Sequence, residues 1–223
     1  MKHGKKYAAA KAMVEMKVYT VEEAVALAKK VSYTKFDGTL DINIKTAADP
    51  KYNDQAIRGT VVLPHGTGKM VIVAAFVADD KIDDAKAAGA TIVGNTELIR
   101  SIEAGTINFD VLVTTPDMIK DLAKVAKILW PKGIMPTPKT GTITNDLKGT
   151  IEEIQKGRIE FKLDKTGNIH VGAGKLSFDD VKLVENINAV LTAIEALKPA
   201  VIKNKLFKKV TLAPTMWPGV QIA

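Results

Sequence analysis

Hydrophobic and polar positions follow two rhythms along this chain, and the rhythms divide it into three segments. In the middle, Met70-Val-Ile-Val-Ala-Ala-Phe-Val-Ala78 is an unbroken apolar run, the pattern of a strand buried on both faces. A helix is expected over 79–88, stopped by Gly89, and a second strand over 91–93. A helix over 95–104 ends at Gly105, and a third strand covers 110–114. Pro116 opens a helix to about Leu129, with Ile119, Leu122, Val125, Ala126 and Leu129 at helical spacing. This strand–helix alternation predicts a parallel sheet with helices on its faces.

The flanks read differently. Residues 1–30 are rich in Ala and Lys and predict helix, with Thr20-Val-Glu-Glu23 as a capping box. Over 39–46, apolar Leu40, Ile42 and Ile44 alternate with Asp41, Asn43 and Lys45, which predicts a half-buried antiparallel strand. Residues 159–163 and 168–171 alternate too, and Asp164-Lys-Thr-Gly167 between them has the turn chemistry of a hairpin. A long helix is expected over 178–197, then short strands at 210–212 and 219–222. The simplest architecture joins both flanks (1–66 and 158–223) in one discontinuous α+β domain with an antiparallel sheet. The inserted domain, 67–157, is Rossmann-like α/β with a parallel sheet.

Charge sharpens this division. The chain of 223 residues carries 32 Lys+Arg against 25 Asp+Glu, a net charge of +7. The two flanks each contribute +4 and the centre −1. The basic excess therefore belongs to the proposed terminal domain and points to an anionic partner. No cysteine occurs, which excludes disulfides, thiolate metal sites and a cysteine nucleophile. The basic N-terminus leads into no signal-peptide core, and no apolar run approaches the roughly 20 residues of a spanning helix. A cytoplasmic protein with no membrane partner is the expectation.

Catalytic signatures are weak. Gly66-Thr-Gly-Lys69 lacks the first glycine and the final Ser/Thr of a phosphate loop, and it precedes a strand where such loops follow one. A stiff inter-domain connection explains Leu63-Pro-His-Gly66 instead, with Pro64, His65, Gly66, Gly157 and Arg158 as the expected hinge. The acid pairs Asp79-Asp80, Asp83-Asp84 and Asp179-Asp180 stand where helices begin, as helix-dipole complementarity requires. No Ser/His/Asp set or nucleophile elbow appears, so no catalytic residue, metal or cofactor is expected. His170 suits a hydrogen bond to phosphate or ribose, and equally an ordinary surface or core position. Trp130-Pro-Lys-Gly-Ile-Met-Pro-Thr-Pro-Lys-Thr-Gly141 reads as an ordered loop whose Lys132 and Lys139 meet phosphates, or as a connection that is basic by chance.

Several motifs then act together: Lys2-His-Gly-Lys-Lys-Tyr7, Lys35-Phe-Asp37, Asp54-Gln-Ala-Ile-Arg-Gly59, Leu63-Pro-His-Gly-Thr-Gly-Lys69, Ala87-Ala-Gly-Ala90, Asn108-Phe-Asp-Val111, Pro131-Lys-Gly-Ile-Met-Pro-Thr-Pro-Lys139, Lys162-Leu-Asp-Lys-Thr-Gly167 and Thr215-Met216. In this order, over nearly the whole chain, they resemble the large-subunit ribosomal protein one family (ribosomal protein L-one), bacterial type. The resemblance implies the same two-domain organisation and binding to 23S rRNA in the lateral stalk of the large ribosomal subunit. It also implies release of deacylated tRNA from the E site and repression of translation on the protein's own operon mRNA.

The RNA face that the resemblance implies comprises Lys35, Phe36, Thr39, Asp41, Lys45, Asp164, Lys165, Thr215 and Met216. Lys162, His170 and Trp217 join it, with Lys132 and Lys139 as a secondary contact. Threonines suit ribose hydroxyls, Phe36 and Met216 offer apolar contact to a sugar or exposed base, and the lysines suit phosphates. Arg58 is expected at the domain junction. Trp217 and Trp130 stand where the family usually has glycine, and Thr137 where it usually has Asn. Trp217 either stacks on a base or packs away from RNA. Two rivals remain: an enzyme holding a nucleotide in the central domain, and a generic basic DNA-binding protein.

Overall fold

The computed structural model describes residues 4–15, 17–202 and 204–222, so Lys2 and His3 of the first motif lie outside the described residues. In chain order the elements are α1 (Lys5–Ala12), α2 (Val21–Val31), β1 (Thr39–Thr46), β2 (Arg58–Val62), β3 (Val73–Phe76), α3 (Ile82–Ala87), β4 (Ile92–Gly94), α4 (Thr96–Glu103), β5 (Val111–Thr114), α5 (Ile119–Leu122), α6 (Ala126–Lys132), α7 (Leu147–Gln155), β6 (Arg158–Lys162), β7 (Asn168–Lys175), α8 (Asp180–Ala196), β8 (Phe207–Pro214) and β9 (Val220–Gln221). The chain divides into two compact units, Met1–Gly68 with Ile159–Ala223, and Lys69–Arg158. The first is an α+β unit formed by both ends of the chain; the second is an inserted Rossmann-like α/β unit.

The terminal unit is built on an antiparallel sheet in the order β7-β1-β8-β9. In β1, Leu40, Ile42 and Ile44 are fully buried, so the alternation read from the sequence marks the two faces of this strand. They join Ala24, Val25 and Ala28 of α2 and Leu183, Ile187, Val190 and Ile194 of α8 in one core. Each such Val, Leu or Ile side chain contributes about 1.5–3 kcal/mol when taken from water. The start of α2 is set by its capping box: Glu23 N–H donates to Thr20 Oγ1, and Thr20 N–H to the Glu23 carboxylate, both at 3.3 Å.

The hairpin expected around Asp164–Gly167 forms only next to its turn. Leu163 and Ile169 make a single antiparallel bridge, after which β7 pairs with β1 and β6 pairs with β2 in a separate two-stranded sheet. β2 is the strand that pattern reading passed over, because Gly59 sits at its second position. A Cβ there would meet Leu197 Cδ1 at 2.4 Å and the buried Phe161 ring at 3.0 Å, so any larger residue forces these side chains to shift. Arg58 lies in the same small sheet, its Nε 2.7 Å from Glu160 Oε1. It is therefore engaged within the terminal unit.

The inserted unit is a parallel sheet in the order β4-β3-β5. The apolar run reads as it does because β3 is covered twice. Ala74 and Phe76 pack with Leu98, Ile102, Leu122 and Leu129, while Val73, Ala75 and Val77 pack with Ala85, Leu147 and Ile151. The strand is shorter than the run. Met70 is 93% exposed, because Asp110 ties down the approach by accepting from Ile72 N–H and from Lys69 Nζ. The helix expected over 116–129 is broken into α5, α6 and short 3₁₀ turns, with Leu122, Val125 and Leu129 still buried. It also runs past its expected end, so Trp130, Pro131 and Lys132 are helical rather than part of a loop. Gly133, at φ 71°, supplies the stop: its N–H reaches the Trp130 carbonyl at 3.0 Å, and Ile134 N–H reaches that of Leu129 at 3.2 Å.

Candidate nucleic-acid interface

The sheet of the terminal unit turns a polar face away from α2 and α8. Cross-strand register assembles it in rows, because directly opposed residues of antiparallel strands share a face. Lys45 stands between Asn168 and Lys209; Asn43 between His170 and Thr211, with Gln221 beyond; Asp41 between Gly172 and Ala213. His170 Nδ1 lies 2.7 Å from Asn43 Oδ1, which fixes the imidazole on the surface. Asp41 is half-buried among small neighbours, and that burial raises its carboxyl above the ordinary carboxylate range, opposed by nearby His170. Along β1 these rows span about 13 Å, from Asp41 to Lys45.

At the Lys45 end lies the turn 164–167. The Asp164 carboxylate accepts from Thr166 Oγ1 at 2.7 Å, Asn168 N–H at 2.7 Å and Thr166 N–H at 2.8 Å. The Thr166 hydroxyl bond leads these contacts in holding its pKa down at about 2. Asp164 is thus the internal acceptor that shapes the turn, while Lys165 at its tip is exposed. Thr46 Oγ1 and N–H both donate to Gly167 O, pinning the turn to the end of β1.

At the opposite end, Thr215 is engaged with Thr39. Its hydroxyl accepts from Thr39 N–H at 3.0 Å and donates to Thr39 O at 3.1 Å. The hydrogen of that hydroxyl is spent on the fold, leaving an acceptor lone pair toward a ligand. Met216 follows with φ 69°, the sole non-glycine residue with positive φ among the described residues, and its side chain is 76% exposed. Such a backbone costs about 1–2 kcal/mol and presents the thioether outward. Phe36 is exposed in the loop before β1. Asp37 anchors that loop by accepting from Ser177 N–H and Oγ at 3.1 and 2.7 Å. Lys35 is exposed beside it.

Trp217 packs away from solvent. It is 9% exposed, clustered with Ala10 of α1 and Val31 of α2 and edge-on to Tyr33, so its ring is unavailable for stacking on a base. Its role in the terminal unit is to hold α1 against the body. The structure brings together Lys35, Phe36, Thr39, Asp41, Lys45, Asp164, Lys165, His170, Thr215 and Met216 on one face and its two ends. Lys162 stands apart in the two-stranded sheet, and Lys132 and Lys139 belong to the inserted unit.

The expected hinge residues are held locally. His65 N–H donates to Asn186 Oδ1 at 3.1 Å, and its ring pairs with Glu185. Asn186, fully buried, also donates to Gly66 O and Ala173 O at 3.0 and 2.8 Å. Pro64 lies in the same turn, closed by Gly66 N–H on Leu63 O. Gly157, at φ 101°, ends α7, and Arg158 pairs with Glu153 at 2.8 Å.

Pattern reading missed Asn186, whose partners are far away in sequence. It also passed over Asn43, Lys209, Thr211 and Gln221, although the alternation of β1 had already set Asn43 on the polar side. Beside Thr211 and Gln221 lies a groove of about 350 Å³, lined also by Tyr7, Lys11, Lys17 and Lys209. Among the described residues no cluster of three or more His, Asp or Glu side chains is suited to a metal ion, and no helix is long and apolar enough to cross a membrane.

Residues 28–218 match the model of the ribosomal protein L1p/L10e family. The chain is also similar to the large ribosomal subunit protein uL1 of Kosmotoga olearia. The two are 45% identical over 222 residues, which cover 99% of this chain and 96% of the relative.

Proposed function

The chain belongs to the ribosomal protein L1p/L10e family, and from that premise we propose that its terminal unit binds 23S rRNA through the open face of the β7-β1-β8-β9 sheet. Proteins of this family are structural constituents of the large ribosomal subunit rather than enzymes. The observation that carries the RNA reading is the coincidence of charge and face. Residues 1–68 and 159–223 hold 20 basic and 13 acidic side chains, while 69–158 hold 12 of each, so the whole +7 falls in the unit with the open polar sheet. RNA is read through its shape, its 2′-hydroxyls and its unpaired bases. Asn43, Asp41 and His170 present acceptors and donors for hydroxyls, Lys45, Lys165 and Lys209 meet phosphates, and Phe36 and Met216 meet sugar or base.

In the cytoplasmic ribosome this binding places the protein in the lateral stalk, where it assists release of deacylated tRNA from the E site. The same face, presented with a similar structure in its own operon mRNA, represses translation. The test is competition at fixed salt among a 23S rRNA stalk fragment, the operon leader and duplex DNA. Strong preference for both RNAs supports the reading. Equal affinity for duplex DNA, or a thermal shift with ATP or NAD, overturns it in favour of an electrostatic binder or a nucleotide enzyme.

A further inference from the structure

The inserted unit is neutral as a whole but polarised along its chain. Residues 118–141 carry five lysines (Lys120, Lys124, Lys127, Lys132 and Lys139) against Asp121 alone. The rest of the unit carries 7 basic and 11 acidic side chains. All five lysines are exposed, and only Lys124 forms an ion pair among the described residues, with Asp121 at 3.1 Å. In their midst Trp130 is 73% exposed, the most exposed aromatic ring described. It does not hang on a loose loop. Its carbonyl and that of Leu129 accept the glycine-stop bonds from Gly133 and Ile134, and Leu129 is fully buried. Lys127, three residues earlier in α6, lies on the same helical face.

We propose that Trp130, with Lys127 and Lys132, is a stacking site for an unpaired base of RNA, a second nucleic-acid contact on the inserted unit. The inference rests on the RNA-binding reading above and extends it to Trp130. An exposed indole carried on the capped end of α6, in a segment of exposed lysines, fits the binding of single strands, in which the lysines neutralise phosphates and the ring accepts a base face. Charge complementarity favours RNA over a second copy of the chain, because the local excess of cations opposes its own duplication.

The chain has two tryptophans, so labelling the full-length protein with 5-fluorotryptophan gives two ¹⁹F resonances, assigned by Trp130→Phe. Titration with a short oligouridylate is expected to move the Trp130 resonance to saturation. Lys127→Gln with Lys132→Gln lowers the salt slope of that transition by about 1.4. Trp130→Ala weakens the oligouridylate contact made by the inserted unit about tenfold. A Trp130 resonance that stays in place at saturating oligouridylate overturns the inference, as does one that moves with protein concentration alone, which assigns the ring to self-association. Binding of the 23S fragment, measured on the same samples, reports the terminal unit separately, so failure at Trp130 is distinguishable from failure of the RNA-binding reading.

Discussion

The inserted unit buries both faces of its sheet, whereas the terminal unit buries one face of its main sheet and leaves the other polar. In the first, alternate residues of β3 go to separate apolar clusters, and nothing on the strand is left for a ligand. In the second, every other residue of β1 is core and the residues between are Thr39, Asp41, Asn43 and Lys45. The same period of two therefore produces a doubly covered scaffold in one unit and an open polar face in the other. The contrast also locates the chemistry of the inserted unit: with its sheet covered, only the outer faces and ends of its helices and its loops remain to make contacts.

The most severe test of this contrast is Trp217→Ala. If Trp217 is core, its loss lowers the stability of the full chain by about 3–5 kcal/mol in urea unfolding. A loss under about 1 kcal/mol returns the ring to the surface. Next is charge reversal on the open face. Lys45→Glu with Lys209→Glu weakens binding of the 23S fragment about hundredfold with an unchanged far-UV spectrum. Reversing Lys148 and Lys156 in the inserted unit changes it less than about twofold. Equal losses from the two pairs abolish the distinction between the units. Asn186→Ala strips the buried Ala173 carbonyl, the half-buried Gly66 carbonyl and the His65 amide of a partner and lowers stability by about 1–3 kcal/mol, measured by thermal unfolding.

Met216→Gly separates strain from contact. It relieves the left-handed backbone, raising stability by about 1 kcal/mol, and lowers RNA affinity several-fold. Unchanged affinity removes the thioether from the interface. The smallest effect is at Asp164. Its folded pKa of about 2 lies below the unfolded value near 4, so its contribution to the turn is full above pH 4 and is lost as pH falls through about 2. The amide resonances of Thr166 and Asn168 report this with a midpoint near 2, and a midpoint near 4 contradicts the hydrogen-bond network.

Much of this arrangement was legible in the chain. The alternation over 39–46 marked both faces of β1, the apolar run marked a doubly covered strand, and Thr20 and Glu23 announced the start of α2. What escaped pattern reading depended on tertiary partners. β2 was hidden by Gly59, whose reason is the crowding of Leu197 and Phe161. The hairpin over 159–171 split because β6 and β7 find different neighbours. The Thr215 hydroxyl looked free for ribose, but it caps Thr39, 176 residues away. The two readings of Trp217 were separated only by the apolar surroundings supplied by α1 and α2. A residue's type announces what it is able to contact; burial decides whether it remains available.

The central claim, that the open face of the terminal sheet holds the ribosomal RNA, is tested most directly by ultraviolet cross-linking of the intact protein to the 23S fragment, followed by peptide mapping. Cross-links in the peptides spanning 35–46, 164–170 and 207–221 are predicted. Their absence from all three, with cross-links confined to α2, α8 or the inserted unit, would contradict the account.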